Sequence, residues 1–126
     1  LGLHYYLNVA KQMGFKLDQS GTYKWPVTVE VPVDDGRHDK QKFDGEFKRI
    51  TQSRIREMGQ LIETGDLTDV DLVKEVLVGW DGIEDDQGNE LKFSQSKLKQ
   101  LLDVPMVATA IATSFFDSIA GAKRKN

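Results

Sequence analysis

The 126-residue chain contains no cysteine. That absence removes disulfide frameworks, thiol nucleophiles and cysteine-rich zinc sites together. Histidine is scarce: His4 and His38 are the only two. They lie far apart in sequence with no third ligand at helical spacing, so neither a zinc centre nor a histidine base finds partners. No run approaches the roughly 18 apolar residues of a membrane span. Leu3 to Ala10 has too little apolar length, and no basic flank, for a signal peptide. No serine sits in a nucleophile elbow, and no glycine pattern resembles a phosphate loop. Charge of one sign is not in large excess: the net charge is −3, which gives the chain as a whole no electrostatic footprint for nucleic acid. From the residues, no catalytic, cofactor or metal residues are expected, and the length fits one domain, residues 1–126.

What is present is a change of period along the chain. Leu3, Leu7, Ala10 and then Met13 or Gly14 recur near helical spacing, which suggests a short helix to about Gln12. Met13 is also a candidate start, with residues 1–12 an upstream remnant; residues 1–24 form a poorly assigned segment. From Trp25 the period is two. Trp25, Val27, Val29, Val31 and Val33 alternate with polar residues and two prolines. This predicts a strand over 25–33 with one apolar face, paired on one side only because Pro26 and Pro32 cannot donate to a ladder. A polar loop over 34–40 and a return strand over 42–49, carrying Phe43 and Phe47, complete an antiparallel hairpin.

The remainder reads as helical, over about 52–63, 69–78, 95–103 and 105–120. Thr51 or Ser53, Thr68 with Asp71, and Ser94 are N-cap candidates; Gly65, Gly79 and Gly121 are stops, and Pro105 suits a first turn. Residues 122–126 form a basic tail. The fold class expected is α+β, an N-terminal hairpin followed by helices.

Asp81, Glu84, Asp85, Asp86 and Glu90 concentrate oxygen ligands, as a calcium loop would. Counted from Asp81, the sixth position is Asp86; from Asp85 it is Glu90. The glycine an EF-hand needs there is missing in both registers, and a solvated acidic turn is the better reading. Trp80 is the expected structural anchor of that turn. Val27, Val29, Val31 and Phe47 are candidates for folding or subunit contact. Phe115 and Phe116, about 100° apart on a helix, are candidates for a partner contact.

The order of motifs is diagnostic. Val31-Pro32-Val33 leads to Phe43-Asp44-Gly45-Glu46-Phe47-Lys48-Arg49-Ile50. Val78-Gly79-Trp80-Asp81-Gly82-Ile83 follows, then an acidic turn at Gly88, Phe93-Ser94, Leu101-Leu102-Asp103-Val104-Pro105 and a Lys125-Asn126 end. Over residues 25–126 this resembles the tail assembly chaperones of long-tailed, siphovirus-type bacteriophages. The resemblance implies a non-enzymatic factor in the host bacterial cytoplasm, absent from the mature virion. It would bind the tape measure protein and keep it soluble, help recruit the tail tube protein, and self-associate into a ring or spiral, with no membrane or nucleic-acid partner. It also implies a short and a long product related by a −1 ribosomal frameshift. Lys125-Asn126 can be encoded by the end of a slippery heptamer, which fits the short product. The competing class is a small phage regulatory protein that binds nucleic acid through Lys123, Arg124 and Lys125.

Overall fold

A computed structural model describes residues 14–121. The helix expected up to Gln12, the candidate start at Met13 and the basic tail at 122–126 lie outside the described residues.

Strands β1 (Thr22–Val33) and β2 (Arg37–Lys48) form an antiparallel pair over their full length, from Thr22 opposite Lys48 to Val33 opposite Arg37. The connection is only Asp34–Gly36. Asp35 and Gly36 both take positive φ, 68° and 70°, the left-handed region that aspartate tolerates and glycine enters freely. The polar loop expected over 34–40 is therefore corrected. The Asp-Gly step reverses the chain at once, and Arg37–Lys40 are strand. Charged residues occupy both faces there because the hairpin tip runs past the apolar layer beneath it, so no alternation marked them.

The second correction concerns residues 77–81. The helix expected over 69–78 ends at Val76, and Leu77 turns extended (φ −92°, ψ 119°) to open strand β3, Leu77–Asp81. β3 pairs antiparallel with the base of β2: Asp44 with Asp81, Gly45 with Trp80, Glu46 with Gly79 and, across a bulge, Phe47 with Leu77. The sheet has three strands in the order β1-β2-β3. With four helices among the described residues, the fold is α+β. Among the described residues β1 pairs on one side only, where its prolines are tolerated.

Helix α1 (Gln52–Thr64) starts where Thr51 Oγ1 accepts from Arg54 N–H at 3.2 Å and stops at Gly65, which turns left-handed (φ 80°). Helix α2 (Asp69–Val76) opens with a complete capping box. Asp71 N–H donates to Thr68 Oγ1, and Thr68 N–H donates to the Asp71 carboxylate. Ser94 caps α3, Gln95–Leu102. Helix α4 runs Val107–Ala120, so Pro105 is not in its first turn as expected. Met106 stands at φ 72°, and a left-handed residue cannot continue a right-handed helix from 105.

Helix α4 lies against the apolar face of β1, and α2 packs against α4. The core joins Val27, Phe47, Leu72, Val73, Val76, Leu77, Ile111 and Phe115 in one cluster. The Phe47 and Phe115 ring centroids are 5.7 Å apart, and Tyr23 lies 6.0 Å from Phe47. At the rim, the Tyr23 and Ser118 hydroxyls share a 2.6 Å hydrogen bond between the first strand and the last helix.

Candidate functional site

Odd-numbered residues of β1 and β2 face the helices and even-numbered ones face solvent. The structure therefore sorts the candidate residues by parity and depth. Val27 and Phe47 are wholly buried and Val29 nearly so. Phe115 is wholly buried, whereas Phe116 and Val31 are only partly covered at the edge of the same cluster. Of the two adjacent phenylalanines, only Phe116 retains surface, with its ring T-shaped on Phe115 at 5.4 Å.

Trp80, on β3, is buried. Its Nε1–H donates to Leu91 O at 2.7 Å, and its ring meets Phe93 edge-on at 4.8 Å. Two points on the returning chain thus hold the 82–93 loop to the sheet. Within that loop, Asp85 Oδ1 accepts from Asn89 N–H at 2.8 Å and from Gln87 N–H at 3.0 Å. These bonds hold the Asp85 carboxyl below its ordinary value of 3.8, the Asn89 backbone contributing most. This carboxylate is occupied in folding its own turn. Among the described residues no group of acidic or histidine side chains is arranged to hold a metal ion.

The solvent face of the sheet is a lattice of small polar contacts. Lys24 pairs with Asp81 across β2, and this ion pair raises the Lys24 ammonium above its usual range. Thr22 donates to Glu46 at 2.6 Å, and Glu46 lies over Gly79, where any side chain would displace it. Both charge signs alternate here, and a hollow bordering this face, about 570 Å³ along Pro26, Thr28 and Glu30, lies at the β1 edge against α4.

A second, more apolar concavity lies on the helix-facing side. A groove of about 510 Å³ runs beneath the hairpin, between Val29, Val31 and Phe43 on the sheet, Ile83 in the loop, and Leu101 and Val104 at the α3–α4 junction. Val104 and Met106, in that junction, are 49% and 45% exposed. Sequence reasoning missed this groove because its walls come from segments that no local pattern relates. The Asp35-Gly36 step was the one available signal that the hairpin above it is long.

No single helix among the described residues is long and apolar enough to cross a membrane. A family model described as phage tail assembly chaperone matches residues 10–126. No curated protein and no solved structure matches the chain.

Proposed function

Because the chain belongs to the phage tail assembly chaperone family, matched over residues 10–126, we propose that it binds the tape measure protein in the host cell and keeps it soluble during tail assembly. The observation that carries this reading is apolar surface left beside a finished core. Val104 and Met106 at the α3–α4 junction and Phe116 and Ile119 on α4 are uncovered or half-covered. A helical partner with exposed apolar stretches fits such side chains. The chain acts by binding, without catalysis or a cofactor. Recruitment of the tail tube protein, and absence from the finished virion, follow from the same role.

Self-association belongs to this proposal. The sheet face of Val27, Val29 and Val31, with Phe47 beneath it, serves folding first, because all but Val31 are buried. One heterologous contact repeated between copies closes into a ring or winds into a spiral. Many weak sites along it would then hold a long partner by avidity.

Phe116→Ala tests the partner contact. Co-purification with co-expressed tape measure protein falls, while the far-UV circular dichroism of the isolated chain is unchanged. Undiminished co-purification by a folded variant, or loss of the helical signal, would overturn the assignment of Phe116.

A further inference from the structure

The hairpin has two open edges, and they are treated differently. Arg49 N–H donates to Gly21 O at 3.3 Å, extending the β1–β2 ladder with odd-numbered pairs. The even-numbered residues therefore turn their N–H and C=O groups away from the partner strand. On β1 two of those outward positions are Pro26 and Pro32, which have no N–H to offer. On β2 the outward positions are His38, Lys40, Lys42, Asp44 and Glu46. β3 pairs only from Asp44 onward. Among the described residues the edge from Arg37 to Phe43 has no strand paired to it and no proline in it; Gly82 lies against Phe43 at its end, and Gln41, Lys42 and Phe43 border the apolar groove described above.

Charge along this edge is also distinct. Lys40 and Lys42 form no ion pair among the described residues, whereas Lys24 on the same sheet face is paired with Asp81; the next charge on that face is Asp44, where β3 begins to pair. Glu30 stands opposite Lys40, but on β1, a strand away from the open edge. Asp39 points to the opposite face, and Glu84 and Asp85 line the far wall of the groove.

We propose that the Arg37–Phe43 edge of β2 is a strand-addition site. It takes an extended segment of another protein whose side chains alternate between apolar and acidic. Outward N–H and C=O groups of His38, Lys40 and Lys42 supply the backbone bonds. The added strand's apolar side chains enter the groove over Phe43, Ile83 and Val104. Its carboxylates lie on the open face beside Lys40 and Lys42. This site is separate from the Phe116 contact and does not depend on which tail protein is bound.

The test uses a fluorescent peptide of about nine residues, alternating valine and glutamate, long enough to span the edge at roughly 3.3 Å per residue. Polarisation titration of the full chain shows saturable binding. Lys40→Pro removes one outward N–H and leaves the β1 ladder intact, as the native prolines do on β1. It weakens binding by about tenfold or more. Thr28→Pro, the equivalent change on the β1 edge, leaves binding unchanged. A valine–lysine peptide binds more weakly than the valine–glutamate one. Lysines also guard edges against pairing; if that is their only role here, no peptide binds and the proposal fails. It fails equally if Lys40→Pro binds as the native chain does. Sedimentation velocity supplies the remaining arm. If the native chain self-associates and Lys40→Pro is monomeric, the edge takes a second copy, and the partner-segment assignment is wrong.

Discussion

Helix α1 is attached to the rest of the molecule by very little. Of its 13 residues only Met58 is fully buried, while α4 buries Val107, Ile111, Ala112 and Phe115. A helix of this length is marginal in water on its own, so Met58 holds much of its stability. Replacing a buried methionine by alanine costs about 2–5 kcal/mol. In most cores that loss is shared by the whole domain. Here the cheaper response is for α1 to lift off, because the sheet, α2 and α4 keep their contacts with one another. Hydrogen exchange read segment by segment separates the two cases. In Met58→Ala the amides of Gln52–Thr64 lose protection by about 30-fold or more, the factor for 2 kcal/mol, while those of β1, β2 and α4 keep theirs. Gly59, one residue on, has open space where a side chain would go. Gly59→Ala should move α1 the opposite way by up to about 1 kcal/mol. Protection lost evenly across all elements in Met58→Ala would refute the reasoning, since α1 would then be a full partner in the core.

Three further outcomes follow from named contacts. Gly45→Ala places a Cβ 2.9 Å from the Phe47 ring and 3.1 Å from Leu77, neither of which has room to retreat; chemical denaturation should show a loss of about 1–3 kcal/mol. Trp80→Phe keeps the apolar bulk but leaves Leu91 O without its 2.7 Å donor; a loss of about 1–3 kcal/mol, seen as a lower thermal midpoint, is expected. Arg54 holds Glu75 through two bonds, at 2.7 and 2.9 Å, joining α1 to α2, and these bonds depress the Glu75 carboxyl below its ordinary 4.5. A depressed carboxylate stabilises fully above its unfolded value, and that contribution vanishes as pH falls through the lower folded value. The denaturation midpoint of Glu75→Gln should therefore fall less steeply than that of the native chain between about pH 6 and 3. Equal slopes would remove Glu75 from the account.

Local chemistry was well written in the sequence. Thr51, Thr68 with Asp71, Ser94 and Gly65 mark helix ends because capping depends on residues three or four apart. The valines of β1 show their face by simple alternation. β3 was hidden because Leu77 continues the spacing of Val73 and Val76, and only its pairing with β2 decides between helix and strand. The tip of β2 was hidden because Arg37 to Lys42 carry charge on both faces. The choice between Phe115 and Phe116 needed the direction in which α4 meets β1, a tertiary quantity. The groove joins residues from Val29 to Val107, and no window of sequence contains both walls.

The bond between Tyr23 and Ser118 spans 95 positions of the chain. It marks an order of events during synthesis. The hairpin leaves the ribosome before α4, the last element described and the one that covers Val27 and Phe47. At about 5–20 residues per second the nascent sheet waits several seconds with its apolar face open. Any contact that face makes in the interval competes with the one α4 brings at the end.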